Sequence, residues 1–220
     1  MKPVVSLTLV TALLGTFGSS IVCAKGLQDD VNQAVTVLER FQDLPEKAIP
    51  RQVLGDARGL AILTVLKAGF ILSGRGGSGV VVARTSSGWS GPSGIATGGA
   101  GFGFQIGAEV TEFVIVLNTD EAVQAFAKGG NVVLGADVSA AAGPLGRTAE
   151  AGVMPVAAVY TYSRSQGLFA GVSLEGSVIV TRDEANTEYY GRPVTPDRIL
   201  AGAVKVPKGA GRLERILNKY

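Results

Sequence analysis

Hydrophobic positions along the chain change period near residue 59, and that change separates a helical entry from a strand-rich body. Before it, Val31, Ala34, Val35, Leu38 and Phe41 fall at i, i+3, i+4, i+7 and i+10, a single apolar stripe within a helical stretch spanning residues 27–56. Asp29 and Asp30 fall in the first turn, where the helix dipole favours acids, and Arg40 lies near the end. Pro45 and Pro50 bracket a short second segment around Lys47. The amphipathic stripe suits either a helix packed on the core or a helix lying on a membrane surface, although the latter usually has a more basic polar face.

From residue 59 to 181 the period is two. Gly59 to Leu72 is apolar on both faces, as in a strand buried on both sides or wrapped into a barrel. GRGGSG, residues 74–79, reads as a glycine-rich joint to a second strand, Val80 to Arg84, and Ser86-Ser87-Gly88 as a turn with Trp89 just after it. Past the loose GPSGIATGGAG segment, Phe104, Ile106, Ala108 and Val110 alternate with polar or glycine positions. The apolar series then passes to Phe113, Ile115 and Leu117, which predicts a bulge or bend near Glu112. Further strands follow at Val132 to Val138, Val156 to Tyr162 and Leu168 to Leu174, with Arg164-Ser165-Gln166-Gly167 as a hairpin turn before the last.

Short helices interrupt and close this body. Thr119 caps one that carries Asp120 and Glu121 in its first turn and stops at Gly129. Arg182 to Tyr190 forms another, stopped by Gly191, and Thr195-Pro196-Asp197 opens a third. The tail GAGRLERILNKY suits a last amphipathic turn or two. The expected fold is α+β, a curved antiparallel β-sheet or barrel-like core with an N-terminal amphipathic helix and short flanking helices. The expected organisation is a signal peptide at 1–24, a helical segment at 25–58, a β-rich domain at 59–202 and a C-terminal tail at 203–220, with 25–220 forming one structural unit.

Composition narrows the chemistry. The chain has 220 residues, 46% hydrophobic and 17% charged, enough for one core. Its 31 glycines, without a collagen-like period, agree with many strands and close backbone contacts. A net charge of +2 gives no basic field for nucleic acid. No histidine is present, which excludes His-based acid–base chemistry, triads and zinc sites. The single cysteine excludes disulfides within the chain. Met1-Lys2, the apolar run Val4 to Leu14 and Val22-Cys23-Ala24 before Lys25 have the form of a cleavable export signal. Lipidation at Cys23 and an uncleaved anchor are the alternatives.

Gly74, Gly76 and Gly79 form a G-x-G-x-x-G, the fingerprint of a dinucleotide site. That fingerprint needs a following helix and an acid about 20 residues on. Val80-Val81-Val82 favour strand, and Ile95 to Gly99 contains no acid, so the context excludes a nucleotide.

KAGFILSGRGGSGVVVAR, GFGFQIGAEVTEFVIVLNT, GPLGRTAEA, YSRSQGLFAGVSLEGS and EANTEYYG occur in that order between Lys67 and Gly191. This series resembles the SYLF domain family, in the form of an exported bacterial-type member, over roughly Pro45 to Gly202. The resemblance implies binding of phosphoinositides or other anionic phospholipids, without catalysis, cofactor or metal. It also implies, as an alternative, a protein-interaction scaffold, since some eukaryotic members bind actin. Lipid phosphates need cations and bare N–H groups beside apolar surface. Lys67, Arg75 and Arg84 are the candidate cations, and Gly74, Gly76, Gly77 and Gly79 the candidate anion nest. The competing reading makes those glycines a tight strand connection and pairs the arginines with acids. Trp89, Phe102 and Phe104 suit either core or rim packing or anchoring at a membrane interface. Glu109, Asp137 and Glu175, mid-strand among small residues, are either separate solvated positions or a carboxylate cluster suited to a hard cation or to acid–base work.

Overall fold

Two strands of unusual length carry the molecule. In the computed structural model, which describes residues 26–43, 49–134, 139–142, 157–167 and 178–220, β1 (Gly59–Thr85) runs for 27 residues and β3 (Ser93–Leu117) for 25. They pair antiparallel from Gly59 opposite Leu117 to Val81 opposite Ser93, with one irregularity between Phe70 and Leu72. A two-residue strand, β2 (Gly88–Trp89), folds back on the end of β1. The C-terminal half of β3 also pairs with β6 (Val159–Gly167), and its N-terminal half with β7 (Val178–Thr181). Between these in sequence, β4 (Asn131–Val133) pairs with β7, and β5 (Ala140–Ala142) with β6. The result is a curled, mainly antiparallel sheet with helices on it, the α+β class expected. One strand pair, β5 with β6, is parallel.

The sheet curls so far that β1 crosses over its own beginning. A Cβ on Gly79 would stand 1.9 Å from the Ile62 carbonyl oxygen, and one on Gly77 would stand 2.5 Å from that of Thr64. At the end of the crossing the Arg84 N–H donates to the Arg58 carbonyl at 2.7 Å. Backbone can approach backbone this closely only where no side chain intervenes. The GRGGSG stretch is therefore no joint between two strands: it continues β1, and its glycines permit the crossing. The GPSGIATGGAG stretch is likewise not loose, because from Ser93 onward it is strand facing that glycine run.

Both faces are buried at Leu60 to Leu63 of β1 and at Phe113 to Leu117 of β3, whereas the run expected to be buried on both sides as far as Leu72 is already open on one face at Leu66. Leu60, Ile62, Val80, Val82, Val114, Val116, Tyr160 and Tyr162 pack in one core with helices α1 (Leu27–Gln42), α2 (Arg51–Asp56) and, from the C-terminal segment, α6 (Gly211–Leu217). Helix α1 seats its stripe there, with Val31, Ala34, Val35, Leu38 and Phe41 all buried. Each such side chain stabilises by about 1.5–3 kcal/mol on full burial, Ala34 by less. The opposite faces, Ala61, Leu63, Val65, Phe113, Ile115 and Leu117, join Phe126 of α3 (Asp120–Ala127) and Ile179 in a second core inside the curl.

Local signals held at the helix ends. Thr119 caps α3 by accepting the Ala122 N–H at 3.1 Å, and Gly191, at φ 66°, ends α4 (Asp183–Tyr190). Pro196 begins the five-residue α5 (Pro196–Leu200). Two other expectations fail. No bulge lies at Glu112; register there is continuous, and the change from apolar to polar marks the point where the inner face of the curl becomes polar at Thr111 and Glu109. Arg164 to Gly167 is not a turn but the end of β6, paired with Glu109 to Glu112 and held extended by an ion pair between Arg164 and Glu112. The strand expected at Leu168 to Leu174 and the proposed signal at 1–24 lie outside the described residues.

Candidate interaction surface

The three cations expected to meet phosphate stand at three stations of β1 and differ in their surroundings. Arg84 is committed inward: its guanidinium donates to the carbonyls of Ala57 at 3.1 Å and Leu54 at 3.2 Å and lies over the Trp89 ring at 4.4 Å. It thus closes the end of α2, while the buried Trp89 donates to the Leu217 carbonyl at 3.2 Å and ties β2 to α6. Lys67 is half-buried and stands opposite Glu109 across the ladder. Arg75 is half-buried, and its side chain lies over Gly99 on the neighbouring strand. Of the four glycines, Gly77 and Gly79 press against the start of β1, whereas Gly74 and Gly76 are exposed with open space around them. All four are in the β1–β3 ladder.

Buried carboxylates were the feature that sequence reasoning missed. Asp30, 3% exposed, accepts a hydrogen bond from the Ser78 hydroxyl at 2.6 Å and pairs with Arg182. It thereby pins the first turn of α1 to the glycine-rich part of β1 and to the start of α4. The available signal was its place on the helix, three residues after Leu27 and four before Ala34, inside the apolar stripe. Glu112, also buried, pairs with Arg40 of α1 and, at 3.3 Å, with Arg164 of β6. A carboxylate taken out of water needs such partners.

Glu109 is 1% exposed. Its Oε1 accepts from the Thr111 hydroxyl at 3.3 Å, and Thr111 in turn meets the Ser165 hydroxyl at 3.0 Å. Asp137 and Glu175, the other members of the carboxylate constellation, lie outside the described residues, as do the side chains of Phe102 and Phe104. Among the described residues no group of three acidic or sulfur ligands converges on a point.

A cavity of about 380 Å³ opens between the end of α1, α2 and the C-terminal residues. Leu38, Phe41, Ile49 and Leu54 form its apolar wall, and Arg51, Lys219 and Tyr220 its polar side. Burial pushes the Tyr220 phenol up to about 12, and the Gln42 amide donates to its oxygen. On the outer face of the ladder, beyond the end of α1, Leu66 is 51% and Val110 38% exposed, directly opposite one another. Ala68 and Ala108, also exposed, form the next row. Val178 of β7, in the same sheet, is exposed to the same degree as Val110.

Among known proteins, the family model described as "Ysc84: Las17-binding protein actin regulator" matches residues 98–220. The chain is 51% identical to Protein YSC84 of Saccharomyces cerevisiae over 203 residues, which cover 88% of this chain and 43% of that protein. The chain belongs to the Ysc84 family.

The resemblance read from the sequence is thus borne out as to family. Other members are similarly close. SH3 domain-containing YSC84-like protein 1 of Homo sapiens is 48% identical over 88% of this chain and 59% of its own length. LAS seventeen-binding protein 3 of Saccharomyces cerevisiae is 48% identical over 88% of this chain and 44% of its own. The chain therefore spans about half the length of these Ysc84-family relatives. Their names describe SH3-containing and Las17-binding proteins of yeast and mammals, not enzymes. They also overturn one expectation: actin regulators and SH3-containing proteins point against export, so neither an exported location nor the exported bacterial-type membership stands.

Proposed function

We propose that this Ysc84-family chain is a non-catalytic interaction module that binds a protein of the actin-assembly machinery. The observation that supports it most is the 51% identity to YSC84 over nearly the whole chain, within a family described by Las17 binding and actin regulation. The residues fit that role. Among the described residues the buried acids Asp30 and Glu112 are paired with arginines, and Leu66 and Val110 present an exposed apolar surface. Co-sedimentation of the full chain with actin filaments, and in parallel its capture by an immobilised Las17 polypeptide, tests the proposal. Saturable binding in either arm is expected; absence of binding in both at low salt removes it.

A second reading, attachment to anionic phospholipid or phosphoinositide, is favoured by one observation. Gly74 and Gly76 present open, exposed backbone on either side of Arg75, with Lys67 further along the same strand. Vesicles of phosphatidylserine or phosphoinositide should sediment the chain and release the Lys67→Glu and Arg75→Glu variants. Arg84→Glu is a poor probe, because that guanidinium holds α2 and Trp89.

A further inference from the structure

The outer face of the β1–β3 ladder is covered by α1 only as far as the row where Arg40 meets Glu112. Beyond it, among the described side chains, the rows of Leu66 opposite Val110 and Ala68 opposite Ala108 are exposed. We infer that this strip docks one amphipathic α-helix of a protein partner, with acidic residues beside its apolar stripe. The inference rests on the proposed protein-binding function and names the surface and the kind of segment it takes.

Three observations select that occupant. First, the strip continues the face on which α1 already lies, with the rows of Leu60 and Ile62 buried by helix and those of Leu66 and Ala68 left open. Same-face residues on a strand recur about every 6.6 Å, and positions i and i+4 of a helix about every 6 Å, so a helix laid along these rows meets each in turn. Second, the two alanines make a shallow floor beside the Leu66 ridge, which lets a helix backbone approach closely. Third, the head of the strip carries Arg40 and Arg164, with side chains 44% and 30% exposed, around the buried Glu112. Both guanidiniums share the one buried carboxylate, and an acidic side chain on the docked helix would give them a second partner. A bilayer is poorly matched, because adsorption to lipid draws on several cations around a larger apolar area.

The test titrates the full chain into a fluorescein-labelled amphipathic peptide of about five helical turns, with leucines at helical spacing and glutamates along both flanks. A twin with lysine flanks and phosphatidylcholine–phosphatidylserine vesicles form the other arms. The glutamate peptide should bind, and should bind Leu66→Glu about tenfold or more weakly. Val110→Thr, which keeps a strand-forming side chain, should give a smaller loss while leaving the thermal melt unchanged. The lysine twin should bind the unaltered chain several-fold less tightly, with the gap closing as salt rises. Equal binding of both peptides, no effect of Leu66→Glu, no peptide binding at all, or binding to vesicles alone would each overturn the inference. Actin-filament and Las17 binding of the same variants separates the two levels. If the unaltered chain binds neither, the proposed function falls; if Leu66→Glu binds as well as the unaltered chain, only the docking surface falls.

Discussion

Replacing Gly79 by alanine places one methyl group where β1 crosses itself, and its effect follows from distances already given. The new Cβ would stand 1.9 Å from the Ile62 carbonyl oxygen and 2.8 Å from the Leu63 Cα, both of them backbone atoms that cannot rotate away. Ordinary contact requires about 1.5 Å more separation, so the two halves of β1 must move apart or the mutated strand must kink. Either opens the packing of Val80 and Val82 against Leu60 and Ile62. Forced overpacking commonly costs about 1–3 kcal/mol, and a backbone clash of this size belongs at or above the upper end. For a chain of this length each kcal/mol lowers Tm by about 2–4 °C, so a drop of roughly 6–12 °C is expected. Gly76→Ala is the internal control, since nothing stands within 4 Å of its Cβ. There the smaller entropy of the unfolded chain should leave stability unchanged or raise it by about 0.4–1 kcal/mol. Urea unfolding followed by Trp89 fluorescence measures both. Equal stabilities for the two variants would falsify the view that these glycines serve the crossing.

Other consequences follow from the buried polar groups. Asp30→Ala removes the carboxylate that pairs with Arg182 and accepts from Ser78, so about 3 kcal/mol should be lost; restoration of stability by Arg182→Met in the double variant would assign the loss to the Asp30–Arg182 pair. Arg84→Lys cannot reach the Leu54 and Ala57 carbonyls with one planar fork, and should cost about 1–2 kcal/mol together with faster amide exchange in α2. Tyr189 and Tyr220 are pushed by burial from 10.0 up to about 12. A phenol whose folded-state pKa is raised contributes stability that is complete below its unfolded pKa and lost as pH climbs through the folded one. The urea midpoint should therefore fall between pH 10 and 12, before the native tyrosinate absorbance is fully developed; a flat midpoint across that window contradicts the burial of these phenols.

Periodicity was enough to define the helix α1 and its stripe, the two-faced apolar run at the start of β1, the strand carrying Phe113, Ile115 and Leu117, the Thr119 cap and the Gly191 stop. Each depends on residues within one or two turns of each other, where side-chain direction is dictated by local geometry. The collinear motifs likewise carried the family, because they report residue order rather than spatial contact. Tertiary structure alone decided the rest. Gly77 and Gly79 looked like a joint, since a glycine run is equally suited to a turn and to a strand lying against another backbone; only the position of Ile62 and Thr64 distinguishes the two. Arg84 looked available to phosphate until Leu54, Ala57 and Trp89 were brought around it. The burial and pairing of Asp30 and Glu112 depend on Arg182 and Arg164, which are far off in sequence and reach them only when the sheet curls. The exposure of Leu66 and Val110 has the same origin. Their apolar pattern matches that of Ile62 and Val114, and what separates a core row from an open one is where α1 stops.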